Sequence, residues 1–455
     1  MKEAAVIVIF LALLPLLVWA VRVAAGHWAW SPESRRKAVH IAMGLAVLGF
    51  PWWFDSIVPV IVLCVLSLGV LGWLRWRESR AEFEGLLVLH GVNRSSFGDV
   101  LFPLAVVGVF GFSQYFAGDH AVVLYVVPIL VLAVADAAGA LIGSCYGVKT
   151  FANLSGCKSV EGSFTFFMAA FLSAHIPILL MTDTGRVESL MIACILALVV
   201  MLVEAIATRG LDNLVVPLAA VFLLERFLGF DVAALSWRLL GAAGLFAVVF
   251  CLRRGSSLNG GALLGAVLFG YGCWALGGWM FVVPPLLLFF EHLWVTRRLR
   301  RVAALEHDLC PMVAIGLSTI PWPVVAAWHG EWAAAALGAF VCGTVAHLAM
   351  FNLATRVFVA RRRATARMKH RAVVKALLVC GIIGWLLVTR EPLVYALGWL
   401  FTGLISRFAV EVHGRFLRRQ LDGDHHPLRW LRQGVLALLA GILMFGVMLW
   451  WLNFV

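Results

Sequence analysis

Asp136 stands inside Ala121–Gly143, a segment whose other residues carry no charge. A carboxylate in such surroundings costs several kcal/mol unless a metal ion, a cation or a water-filled cavity meets it. Asp136 is therefore a functional candidate, with a helix-end residue reaching interfacial water as the plain alternative. Gly139, Gly143 and Gly147 follow at a spacing of four, which lays a bare stripe along one helix face. Such a stripe admits either a second helix backbone or a phosphate. Beyond it come Lys149, Lys158, Ser159, Glu161, Gly162 and Ser163. An acid for Mg²⁺, backbone amides at a helix end and a lysine for phosphate are the parts that a nucleoside triphosphate requires.

The elements that must carry these residues follow from composition. Of 455 residues, 63% are hydrophobic and 13% charged, against about 45–50% and about 25% in soluble proteins. A water-facing globular surface cannot be built from that mixture, and disorder, collagen and disulfide scaffolds are excluded with it. Long apolar runs such as 57–74, 189–203 and 433–451 choose helices over a closed barrel. At about 20 residues per crossing, the expectation is an all-α polytopic integral membrane protein with about 13–15 transmembrane helices. Residues 3–25 read as the first span rather than a cleaved leader. The Gly-rich segments 261–275 and 278–296 read as two spans or as one hairpin broken around Trp274–Trp279. The net charge of +12 gathers in short stretches: Arg75/Arg77/Arg80, Arg253/Arg254, Arg297/Arg298/Arg300/Arg301, Arg361 to Arg371 and Arg415 to Arg419. These read as topology determinants and lipid head-group contacts, not as a nucleic-acid surface. Nine scattered cysteines form no CxxC pair or metal spacing and read as small core residues.

The motif Asp136-Ala-Ala-Gly-Ala-Leu-Ile-Gly143-Ser-Cys-Tyr-Gly147, followed by Lys158-Ser159-Val-Glu161-Gly162-Ser163, resembles the signature of the CTP-dependent lipid-alcohol kinases: the dolichol kinases, the phytol kinases and the CTP-using diacylglycerol kinases. Three further pieces match in order: Arg36-Lys37-Ala-Val-His40-Ile-Ala-Met-Gly44, Gly98-Asp99-Val-Leu-Phe-Pro103, and Glu204 followed by Asp212-Asn213-Leu-Val-Val-Pro217. Together they span roughly 35–225, about half the chain. The resemblance, with the chemistry of each side chain, implies a role for every one. Asp136 would hold Mg²⁺ on the nucleotide, with Glu161 or Asp212 as further metal ligands. Gly139, Gly143, Gly147, Ser159 and Gly162 would line the phosphates. Lys158 would neutralise the transferring phosphoryl group. Arg36 and Lys37 would contact phosphate at the membrane surface. His40 or Glu161 would take the proton of the lipid hydroxyl, with an interfacial histidine as the plain reading of His40. Asp212 and Asn213 would bind metal or the cytosine edge, against a helix-capping alternative. The implied activity is transfer of a phosphoryl group from CTP to a polyprenol- or phytol-like lipid alcohol. The implied location is a bacterial inner membrane, with the site on the cytoplasmic side.

The domain reading is a kinase-like membrane domain at 1–252, a linker at 253–260, and a second helical membrane domain at 261–455. The start of the second, Gly260-Gly261-Ala-Leu-Leu-Gly265 through Gly277-Gly278-Trp279, faintly resembles the phytyl-phosphate kinase-like membrane family but lacks its acidic motif. His307 with Asp308, His413, and His425/His426 read as solvated rather than metal-binding. Two other functions share these features. A cytidylyltransferase making a CDP-lipid uses a similar Asp, spaced glycines and Lys-Thr-x-Glu-Gly loop. An ion-coupled transporter would use Asp136 and Glu204 near broken helices. Ser159 and the Arg-Lys-x-x-His element favour the kinase over the first, and the lack of an internal repeat disfavours the second.

Overall fold

The computed structural model describes residues 2–28, 30–78, 97–116, 118–153, 156–299, 307–361, 363–417 and 427–452. Arg80, Arg300, Arg301, Arg362, Arg418, Arg419, His425 and His426 lie outside them, as do the Arg75 and Arg77 side chains. The protein is an all-α polytopic integral membrane protein. Among the described residues, 13 helices are long and apolar enough to cross a membrane, with a shorter apolar helix at Ile57–Trp73. Contacts divide the chain into two compact units, Met1–Leu240 and Gly241–Val455.

In the first unit α1 (Lys2–His27) leads to α2 (Pro32–Val47), whose start is set by Ser31: its Oγ accepts the Ser34 N–H at 3.1 Å, and Pro32 opens the helix. Then come α3 (Ile57–Glu78) and α4 (Gly98–Phe116). The central span runs through α5 (Ala121–Leu130), one π turn (Val131–Ala135) and α6 (Asp136–Tyr146). Its apolar stretch is 72% buried, the highest share in this unit. The π turn follows Pro128, which has no N–H to give the ladder, and it directly precedes Asp136.

The polar stretch after α6 is a β-hairpin, β1 (Thr150–Asn153) against β2 (Gly156–Ser159), antiparallel with Phe151 opposite Lys158. The unit continues with α7 (Val160–Met181), α8 (Arg186–Ile206) and α9 (Asp212–Leu228), and α10 (Val232–Leu252) carries the chain across the division at 240/241. The 253–260 stretch, read from sequence as a linker, lies within the second unit.

The second unit contains α11 (Gly260–Gly277), α12 (Val283–Arg298), α13 (Cys310–Thr319), α14 (Pro321–Trp328), α15 (Ala333–Ala360), α16 (Ala366–Ala376), α17 (Ile382–Val388), α18 (Pro392–Leu417) and α19 (Pro427–Leu452). Gly278, at φ +83°, turns the chain between two separate span-length helices, so the Gly-rich pair is two spans and not one broken hairpin. The central helix here is α15, whose span is 89% buried.

Candidate functional site

Three carboxylates converge in the first unit. Asp136 at the start of α6, Glu204 in the last turn of α8 and Asp212 at the start of α9 bring ligand oxygens within 4.8 Å of one another. They belong to three different elements, and each sits at the end of an α segment on the same side of the unit. Among the described residues this is the one acidic or histidine cluster close enough to hold a metal ion. Two lysines partly offset its charge. Lys37 Nζ donates to Asp136 Oδ2 at 2.6 Å, with both side chains at least nine-tenths buried (3% and 9% exposed). Lys158 Nζ donates to Glu204 Oε1 at 2.6 Å and also to the Glu204 carbonyl oxygen. Asp212 keeps a buried Oδ1 with no hydrogen-bond partner.

Helix α2 presents Lys37, His40 and Gly44 on one face, at i, i+3 and i+7. His40 Nε2 lies 2.9 Å from the Leu132 carbonyl oxygen inside the π turn and 3.4 Å from Asp136 Oδ2. A carbonyl oxygen can only accept, so His40 Nε2 carries its hydrogen there, and Nδ1 is the ring nitrogen left to take a proton. The Leu132 contact ties α2 to the segment that leads into Asp136. The helices approach this closely because residue 44 is glycine: a Cβ on Gly44 would sit 2.3 Å from Ala133 Cβ. Arg36 forms a two-pronged pair with Glu33, Nη2 to Oε1 at 2.7 Å and Nε to Oε2 at 3.2 Å. Burial raises the Glu33 carboxyl, but the Arg36 guanidinium, by hydrogen bond and charge, more than offsets this and holds it below the usual range.

Several residues singled out from sequence have other places. The glycine stripe is filled by the start of α7. A Cβ on Gly143 would meet Ser159 Oγ at 3.0 Å and Gly162 Cα at 3.3 Å. One on Gly147 would meet Ser159 Cβ at 2.7 Å, and one on Gly139 the Gly162 oxygen at 3.1 Å. The stripe thus serves close packing of α6 on α7, the first of its two sequence readings, and not an open phosphate cradle. Ser159 caps α7, its Oγ accepting the Gly162 N–H at 3.1 Å. Glu161 accepts the backbone N–H groups of Val148 and Lys149, both at 3.2 Å, and is not one of the clustered acids. Asn213 donates from Nδ2 to the Gly98 carbonyl at 2.8 Å, tying α9 to the start of α4.

So Asp136, Asp212, Lys37, Lys158 and His40 come together, whereas Glu161 and Asn213 fasten backbone. Glu204, not assigned a role from sequence apart from the resemblance and the transporter reading, stands in the acidic cluster, and Glu161 does not. Its signal was available: a carboxylate closing the apolar run 189–203 is the same anomaly that marks Asp136. In the second unit, His413 is buried rather than solvated, and His307 bonds Ser257 through Nδ1 at 2.9 Å.

Along 191 residues the chain is 28% identical to the phytol kinase of Synechocystis sp. (strain ATCC 27184 / PCC 6803 / Kazusa), a stretch covering 42% of this chain and 78% of that protein. No protein-family model matches the chain, and no solved structure matches it.

Proposed function

We propose that this chain is a lipid kinase, transferring the terminal phosphoryl group of CTP to the hydroxyl of an isoprenoid or related lipid alcohol. The observation that carries the reading is the meeting of Asp136, Glu204 and Asp212 with Lys37 and Lys158 inside an apolar helical unit. Similarity to a phytol kinase supports the same class of reaction.

Three clustered carboxylates, one with a buried oxygen lacking a hydrogen-bond partner, are the hard oxygen donors that suit Mg²⁺. Bound there, the ion would draw charge from the triphosphate. Lys158 binds the transferring phosphate, leaving Glu204 to the metal. Lys37 and His40 hold Asp136 in place. The lipid hydroxyl gives its proton to Asp212 as its oxygen bonds to phosphorus, and the bond to the departing CDP breaks. Stabilising the charge of a loose transition state is the main demand of such chemistry, and a buried, prearranged charge cluster meets it.

The reading extends to orientation in a bacterial inner membrane with the site facing the cytoplasm. Segments at the site end carry Arg35, Arg36, Lys37, Lys149, Lys158 and Arg209, against Arg186 and Arg226 at the opposite ends of α8 and α9, and it is the Lys/Arg excess that the orientation follows.

Purified protein, labelled CTP or ATP and a panel of lipid alcohols test the proposal, with wild type beside Asp136→Ala. CDP plus phosphorylated lipid is expected from wild type alone. Pyrophosphate with a CDP-lipid would overturn it in favour of cytidylyl transfer.

A further inference from the structure

Three helices of the second unit, α15, α18 and α19, bury polar groups that nothing in the unit satisfies. His347, midway along α15, is 2% exposed, and its Nδ1 has no hydrogen-bond partner. His413, in the last turns of α18, is fully buried, with no partner on either ring nitrogen. Arg432, in the second turn of α19, has Nε and Nη2 buried without a partner.

Local geometry gathers the three. Gln433 Nε2 donates to the His347 carbonyl at 3.2 Å, which sets the start of α19 against the middle of α15. The adjacent Arg432 guanidinium lies 4.5 Å from the centre of the Phe416 ring, about one helical turn beyond His413. Arg429, Arg432 and His347 all act electrostatically on His413, so these side chains share one region. Glu411, two residues before His413, is taken by Lys369.

The unmet groups are chiefly donors. Arg432 Nε and Nη2 can only donate, and an imidazole always keeps at least one N–H, so His413 adds another. Against them stands one unpartnered side-chain carbonyl, Gln433 Oε1. Donors buried without acceptors cost free energy that a bound anion recovers. The space available limits the size of that anion. A cavity of about 70 Å³ reaches this region at His347 and Trp430, which is room for a small ion or a few waters. Charge limits it too: the cost of stripping an ion of water grows with the square of its charge, so a monovalent anion is favoured over a phosphate dianion.

We propose that the second unit holds a structural site for a small monovalent anion of the chloride class, bound between α15, α18 and α19 by His347, His413 and Arg432. This goes beyond the kinase reading and does not depend on it, because none of these residues belongs to the first unit.

The test is thermal unfolding of the full-length protein in detergent as chloride replaces gluconate at constant sodium and ionic strength. The melting temperature is expected to rise with chloride and then level off, as filling of one site in the folded state requires. Bromide should act as chloride does, and phosphate at the same ionic strength should not reproduce the saturating rise. His347→Leu and Arg432→Gln should each raise the half-saturating chloride concentration about tenfold or more. In gluconate alone, His347→Leu should melt level with wild type or above it, since it removes an unmet polar atom from apolar surroundings. Broadening of the chloride NMR signal by the folded wild-type protein, reversed by bromide, reads the same site without unfolding. Absence of a saturating chloride effect in both measurements would overturn the proposal. So would an equal rise with phosphate, which marks a site for a phosphate group, or unchanged half-saturation in both variants, which places the ion elsewhere.

Discussion

Lys37 and Asp136 are the clearest case of one residue explaining another. Each is an ion that apolar surroundings penalise, and each removes the other's penalty. Breaking such a pair leaves a buried charge and typically costs about 3–5 kcal/mol, whereas replacing both partners by apolar groups is often neutral. Lys37→Met and Asp136→Leu should therefore each lower stability by about that amount, and the double variant by less than either. Denaturant melts of the detergent-solubilised protein check this, and additive losses would refute the pairing. All three variants should lose phosphoryl transfer. A second contrast separates two glutamates. Glu204 stands in the acidic cluster, so Glu204→Gln should reduce kcat by about 10²-fold or more. Glu161 holds two backbone N–H groups, so Glu161→Gln, which keeps acceptor capacity, should cost less than about tenfold. Steady-state kinetics on the two variants decide between the assignments, and the reverse order would restore Glu161 to the chemistry.

At the level of elements, α2 reaches the π turn only because Gly44 and Ala133 are small. Gly44→Ala places a methyl group 2.3 Å from Ala133 Cβ, and backbone on both sides limits relief. Overpacking of this kind costs about 1–3 kcal/mol. The variant should also loosen the contacts of Lys37 and His40 with the Asp136 segment, so kcat should fall further than the melting temperature alone suggests. Parallel melting and turnover measurements check that split. The span that carries Asp136 was legible in sequence, since long apolar runs leave no other structure in lipid. The π turn was not, because it depends on where the backbone bonds displaced by Pro128 are remade. The hairpin at Thr150–Ser159 was hidden as well: four-residue strands of mixed polarity carry no period, and their register rests on pairing and on the Glu161 clamp. The glycine stripe was seen, but spacing alone cannot say whether a ligand or a neighbouring helix fills it. Ser159 and Gly162 fill it here.

At the scale of the first unit, the separations explain what sequence could not join. Lys37 and Asp136 lie on α2 and α6, and Lys158 and Glu204 on β2 and α8; only the alternation of spans brings these ends to one side. The same alternation makes orientation testable with the protein's own thiols. Cys145 and Cys157 are exposed at the site end, one at the close of α6 and one in β2. With the site facing the cytoplasm, a variant retaining Cys157 alone should resist a membrane-impermeant maleimide in intact cells and react in inside-out vesicles. Asp183→Cys, introduced between α7 and α8 into a chain otherwise lacking cysteine, should show the opposite pattern. Labelling of Cys157 from outside intact cells would reverse the orientation and put the acidic cluster beyond the reach of a cytoplasmic nucleotide. Lys158, one of the basic residues at the site end, is also the residue proposed to meet phosphate, so the charge proposed to set the direction of insertion would also draw a triphosphate toward Asp136, Glu204 and Asp212.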